Sequence, residues 1–293
     1  SKLFEIREKR IHPLKDDKIL TDWNGLMIAA LAKSARVFEN NEYLEAAERS
    51  ANFILKELVD EKGNLLHRYR EGNAAILGNL DDYAFFIWGL IELYQTSFKA
   101  EYLEKAIELN DLMLRNFWDE ETGGYFFTST DSEQLLIREK QIYDGAKPSG
   151  NSVAMLNLVK LGRLLSDPKL EEQANVLMEN FASQVQRVPY AYTFLLSALD
   201  FFKGPSFEIV IVGDNQSDKT KEMIRSFNSK FIPNKVLILK EIGDDRISKS
   251  IEILENYKQI NEEPTVYICK QFVCKQPTND VEKMLELLNS NED

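Results

Sequence analysis

The chain reads as mainly α: a partial α/α toroid of helical hairpins over residues 1–203, then a small α/β domain with a parallel sheet over 204–293. Two observations carry this. Strongly apolar and single-striped helical segments alternate, and their connections recur at roughly 60-residue spacing, the mark of stacked supersecondary units. At Gly204-Pro205 the pattern then changes to short apolar runs separated by helical segments.

The first strong element, 26–38, is apolar on almost every side (Leu26, Met27, Ile28, Leu31, Val37, Phe38), which predicts burial all round. Segment 43–59 shows one stripe instead, Leu44, Ala47, Ala51, Leu55 and Leu58, and predicts a half-exposed helix. The alternation continues with 81–97 (buried type), 102–117 (striped), 150–165 (buried), 169–185 (striped) and a last buried-type helix at 190–202. Val59-Asp60-Glu61-Lys62-Gly63-Asn64 matches Trp118-Asp119-Glu120-Glu121-Thr122-Gly123, each an acidic turn leading into a short β-hairpin. Inner helices alternating with outer ones describe a toroid. About seven helices fall short of a closed six-hairpin ring, so further hairpins and an excised N-terminus are expected upstream.

Beyond 204, the run 207–212 predicts a strand buried on both faces. Helix 219–227, strand 236–239, helix 248–258, strand 265–269 and helix 279–289 follow, and their alternation predicts parallel pairing.

A formal net charge of −12 repels phosphate backbones and anionic lipid, which argues against nucleic acid and membrane partners. No apolar run approaches the roughly 20 residues needed to span a bilayer, and no signal peptide is visible. Two cysteines make no disulfide framework and fit a reducing, cytoplasmic setting. Cys269 and Cys274 read chiefly as buried apolar residues, a hairpin disulfide being the lesser alternative. With two histidines and two cysteines at unrelated spacings, neither a metal site nor a cofactor is predicted.

The inner helices begin with polar clusters, DDKILTDWNG at 16–25, GNLDDYAF at 78–85 and YDGAKPSGNSVA at 143–154. Parallel inner helices would gather these at one mouth, where free N–H groups and the positive helix ends favour carboxylates. Taken singly, Asp16, Asp22, Asn79, Asp81 and Ser149 are ordinary caps. Taken together, carboxylates and amides beside aromatic faces are what a sugar ring needs. The candidate catalytic carboxylates are Asp22, Asp82 and Asp144. Candidate ligand contacts are Trp23, Asn24, Asp81, Tyr83, Tyr143, Ser149, Asn151 and, from a loop ahead of the first motif, His12. Asp81 reads more as a cap, and His67, in a hairpin strand, as structural.

DDKILTDWNGLMIAAL, GNLDDYA, YDGAKPSGNSVA and the closing VYICKQFVCKQP resemble, in that order, the thioredoxin-domain proteins related to spermatogenesis-associated protein 20. The resemblance covers nearly the whole chain. It implies a six-hairpin, glycosidase-like toroid similar to that of N-acylglucosamine 2-epimerases, with a thioredoxin-like domain upstream. It also implies a carbohydrate-active protein, hydrolase- or epimerase-like, with a carbohydrate ligand at the mouth. The alternative is a non-catalytic scaffold serving a redox partner, with the polar clusters acting as caps that hold the ring.

Overall fold

The computed structural model describes residues 1–133 and 136–289. A short exposed helix α1 (Lys2–Glu8) precedes a two-residue strand β1 (Ile19–Leu20). Three hairpins follow: α2 (Thr21–Phe38) with α3 (Asn41–Glu57), α4 (Leu80–Ser97) with α5 (Ala100–Phe117), and α6 (Gly150–Leu165) with α7 (Pro168–Arg187). Strands β2 (Leu66–Arg70) and β3 (Asn73–Leu77) lie between α3 and α4, and β1 adds to β2 to make a three-stranded antiparallel sheet. A lone helix α8 (Thr193–Lys203) closes the row. Helices α2, α4, α6 and α8 pack side by side as the inner layer, each of the first three backed by its own outer partner. This is an α/α-toroid arrangement.

The repeated acidic turns fold alike. Asp60 Oδ1 accepts the amides of Lys62 and Asn64, Asp119 Oδ1 accepts that of Glu121, and each turn is pinned by a single β-bridge, Val59 to Leu65 and Trp118 to Tyr125. Among the described residues, only the first continues into a full hairpin.

Helices α4 and α6 are buried on nearly every face. Helix α2 departs from expectation twice. It starts at Thr21, so Asp22, Trp23 and Asn24 lie in its first turn rather than ahead of it. It is also buried on one side only: Ile28, Ala29, Ala32 and Ala35 face α3 and α4, while Met27, Val37 and Phe38 stand more than half exposed. An all-apolar helix is buried all round only if neighbours flank both sides, and among the described residues α2 has them on one.

The α/β part is a four-stranded sheet in the order β5-β4-β6-β7, from β4 (Phe207–Gly213), β5 (Lys235–Glu241), β6 (Thr265–Lys270) and β7 (Val273–Cys274). Helices α9 (Asp218–Asn228), α10 (Arg246–Ser250) and α11 (Val281–Asn289) accompany it. The strand period of two splits β4 and β5 between two cores. Val210, Val212, Val236 and Ile238 join the helical core. Ile209, Ile211, Leu237 and Leu239 meet Met223, Phe227 and Met284 in a second.

The parallel pairing is confined to β4 and β5; β6 joins β4 antiparallel. The reason lies in the connector. The helix expected over 248–258 is instead the five-residue α10 and a 3₁₀ turn, Glu252–Asn256, whose Ile247, Ile251 and Leu254 lie on the helical core. No crossover helix returns the chain to the other end of the sheet, as a parallel strand would require.

Cys269 and Cys274 form a disulfide across the β6–β7 hairpin, where they are directly paired. This corrects the reading of two buried thiols: Cys274 is exposed and bonded, and the pair no longer argues for a reducing compartment. No described helix is long and apolar enough to cross a membrane.

Candidate functional site at the inner-helix mouth

The starts of α2, α4 and α6 meet. The link is a chain of carboxylates, one lysine and one histidine. Asp82, fully buried, accepts the amide of Asn79 at 2.8 Å, which caps α4, and the amide of Asp22 at 3.0 Å, which ties the first turn of α2 to it. His67 of β2 places Nδ1 3.0 Å from both Asp82 oxygens. Asp81 points the other way. Its Oδ2 lies 2.7 Å from Lys147 Nζ, and the same ammonium lies 3.1 Å from Asp22 Oδ2. Lys147 also sits 5.2 Å above the Phe85 ring. Asp82 is thus the cap of the pair and Asp81 the partner of the lysine, the reverse of the expectation.

Close backbone approach makes this possible. At the α6 start, a side chain on Gly150 would place its Cβ 2.5 Å from Asp81 Oδ1. On α2, a Cβ at Gly25 would lie 2.6 Å from the backbone of Phe85 and Phe86. Only glycine lets these helix starts come together.

The electrostatics follow. Burial pushes the Asp82 carboxyl up, opposed by His67 and by the Asn79 amide. The hydrogen bond that His67 donates to Asp82 raises the imidazole above the ordinary histidine range, against partial burial. The pair therefore holds its proton to higher pH than either group alone. Burial also raises Asp81, against Lys147. Burial works to lower Lys147, but Asp81 and Asp22 prevail and raise it. The side chains of Lys147 and His67 are 42% and 27% exposed, whereas those of Asp22 and Asp82 are almost closed off, so a ligand meets the lysine and the imidazole first.

Of the other sequence candidates, Trp23 and Tyr143 are exposed and free to stack, 64% and 68% accessible. The remainder hold backbone. Asp144 accepts the amides of Ser149, Phe194 and Leu195, fixing the starts of α6 and α8 side by side. Ser149 caps α6 through the Ser152 amide. Asn151, fully buried, pairs both ends of its amide with Tyr125 and donates also to the Gln141 carbonyl. Tyr83 accepts the Leu65 amide through its hydroxyl. Asn24 donates to the Leu20 carbonyl and accepts from Ser50. His12 lies in an exposed segment with Glu8 as its partner.

Sequence reasoning missed Lys147 and set His67 aside. The signal for Lys147 was available: it is the only cation in the motif 143–154. For His67 the clue was the hairpin, since β2 and β3 lead from the outer helix α3 back to the start of the inner helix α4.

Asp22, His67 and Asp82 also offer ligand atoms within 4.8 Å of one another, close enough for a metal ion. The same atoms already bond each other or Lys147, whose ammonium puts positive charge beside Asp22 and disfavours a cation there.

No family model matches the chain. Human and rat spermatogenesis-associated protein 20 are 32% and 33% identical over 98% of it, and an uncharacterised Caenorhabditis elegans protein is 33% identical over 98%. The chain spans about 38% of the length of the two mammalian relatives. Among solved structures, a cellobiose 2-epimerase of Bacillus thermoamylovorans superposes with TM-score 0.53 at 15% identity, over 86% of this chain and 80% of that one. A GH76 α-mannanase of Bacteroides thetaiotaomicron gives TM-score 0.53 at 17% identity, over 73% and 57%. Those likenesses establish the toroid fold, and the sequence matches establish kinship: the chain belongs to the family of spermatogenesis-associated protein 20.

Proposed function

We propose that the mouth binds a sugar and that His67 moves a proton on it. The observation that supports this best is the division of labour around Asp82 and Lys147. Asp82 holds His67 by Nδ1, which leaves Nε2 to face a ligand. Lys147 draws Asp22 and Asp81 onto a single ammonium, at 3.1 and 2.7 Å. The nearest oxygens of that carboxylate pair are then at most about 6 Å apart, short of the roughly 6.5–9.5 Å that inverting glycoside hydrolysis uses. Both carboxylates are held in place by the shared lysine, which suits binding sugar hydroxyls.

The reaction that fits is proton abstraction beside a sugar carbonyl. Neutral His67 takes the proton through Nε2, the C–H electron pair moves toward the carbonyl oxygen, and Lys147 stabilises the negative charge that develops there. Return of the proton to the opposite face of the same carbon, with the carbonyl re-forming, gives an epimer; return to the neighbouring carbon, with the hydroxyl proton passing to the former carbonyl oxygen, gives an isomer. Trp23 and Tyr143 serve as stacking platforms. That the fold is shared with an epimerase and a mannanase supports a carbohydrate ligand. The inner helices bring no histidine to the mouth, and β2 supplies one in their place.

The test is incubation of the chain with mannose, glucose and cellobiose in deuterated water, followed by NMR. Deuterium should enter next to the carbonyl carbon, with loss of at least about 100-fold in His67→Ala if the imidazole is the base. Sugars that give neither exchange nor saturation transfer from Trp23 would overturn the reading.

One observation favours a second, non-catalytic reading. Asp144, Ser149, Asn151, Tyr83 and Asn24 spend their hydrogen bonds on the ring itself. Such a ring would act as a scaffold for a thioredoxin-like domain, a partner with which the greater length of the relatives is consistent. Sugar binding without deuterium exchange would favour it.

A further inference from the structure

At the opposite ends of the inner helices lies a second cluster of charge, and it is unbalanced. Glu92 of α4 is fully buried and receives Arg36 at 2.5 Å, Lys33 at 3.7 Å and a close contact from Lys160. Trp88 Nε1 donates to it as well, at 3.2 Å. Next to this group is a cavity of about 110 Å³ between the helix ends and strand β5. Lys33, Arg36, Lys160 and Lys235 all line it, together with Gln95 and Asn228. Four cations face one carboxylate.

The bland account is that the cations serve the helix ends, whose free carbonyls favour positive charge. It covers Arg36, in the last turn of α2, and more weakly Lys33 and Lys160, which sit about a turn further back in α2 and α6. It covers in part Lys235, which comes from a strand, lines the cavity and donates at 3.2 Å to the Phe227 carbonyl in the last turn of α9. It does not cover Gln95. The Gln95 side chain is 4% exposed. Its Oε1 accepts the Leu237 amide, while Nε2 has no hydrogen-bond partner within the protein. A buried donor left unmatched beside four cations is the complement of an anion.

We propose that this cavity binds a phosphate group, as the free ion or as the end of a small ester. The volume is room for three or four waters at about 30 Å³ each, which matches a tetrahedral oxyanion and leaves little space for more. Arg36 and the lysines supply charge, and Gln95 Nε2 with the Asn228 amide supplies directed donors. The titration of the cluster agrees. Burial and the charges of Lys33 and Arg36 push Lys160 down to about 8 in spite of Glu92, and burial with Arg36 pushes Lys235 down to about 8. Burial works against Glu92, yet Lys160, Arg36 and Lys33 hold it well below the usual carboxylate range. Bound phosphate would join β5 to α2, α4 and α6, fastening the sheet to the ring.

Calorimetry with inorganic phosphate on the whole chain at pH 7, at constant ionic strength set by sodium chloride, tests this. Saturable binding at one site is expected, accompanied by a higher unfolding temperature. Both Lys235→Gln and Gln95→Leu should weaken it about tenfold or more, the loss expected for one hydrogen bond to a charged group. Comparable affinity for glucose 6-phosphate would assign the site to esters, and weaker affinity to the free ion. Absence of saturable binding overturns the proposal, as does equal binding by the wild type and both variants. Phosphate also stabilises proteins generally through exclusion from their surfaces, so the difference between wild type and Gln95→Leu is the decisive quantity.

Discussion

Asp82 accepts the amides of Asn79 and Asp22 and the Nδ1 of His67, so a single carboxylate organises two helix starts and the imidazole. Asp82→Asn should therefore cost about 3 kcal/mol in urea unfolding, the scale for breaking a buried charged network. It should also let the His67 pKa fall back toward its ordinary value. With two histidines in the chain, imidazole NMR resolves this directly. The sign for stability follows from the raised His67 value. Its contribution is complete below pH about 6.5, the unfolded pKa, and is lost as pH rises through the higher folded value. A stability profile that climbs over that window would contradict the pairing. Sugar turnover should run the other way, rising as His67 loses its proton. The three carboxylates of this site were legible because helix starts attract them. Asn151 and Tyr83 were legible as important but not as to role, because the same amide or hydroxyl serves a ligand or a backbone amide equally well, and only the partner decides.

Among elements, the α2–α4 contact rests on Gly25 and Gly89. A Cβ at Gly25 would meet the α4 backbone at 2.6 Å, and one at Gly89 would meet the Gly25 carbonyl at 2.9 Å. Gly25→Ala forces two backbones apart. We expect a loss of about 2–3 kcal/mol in chemical denaturation, well beyond the small gain that alanine gives inside a helix. The β6–β7 hairpin offers a second check. Gln271 and Phe272 both adopt left-handed backbone there, and the Phe272 amide is held by Glu208. Reducing the Cys269–Cys274 bond should lower stability by about 2 kcal/mol, the value for so short a loop, read as unfolding temperature with and without dithiothreitol. Helix alternation was visible in the sequence because burial writes itself into the period of apolar residues. The one-sided burial of α2 and the antiparallel entry of β6 were not. Both depend on what lies beside an element, which local pattern does not record.

For the whole molecule, the parallel inner helices sort charge by end. Asp22, Asp81 and Asp82 lie at the N-terminal ends; Lys33, Arg36 and Lys160 lie toward the C-terminal ends. Each sign complements the helix dipole it faces, so the arrangement stabilises all three helices. From Asp22 to Arg36 is about 20 Å along α2, at 1.5 Å per residue. That is more than twice the roughly 8 Å screening length of physiological salt. The fields at the two ends are thus independent in solution, although the rods between them are shared.

That separation has a kinetic consequence. A neutral sugar approaching the mouth feels little long-range force, and its arrival is set by diffusion and shape. An anion approaching the other end is drawn by four cations, despite the net charge of −12 on the molecule as a whole. Stopped-flow measurements should find phosphate association slowing as sodium chloride rises from about 20 to 200 mM, and sugar association nearly unchanged. Two ligands would then reach one set of helices through separate doors, with salt acting on only one of them.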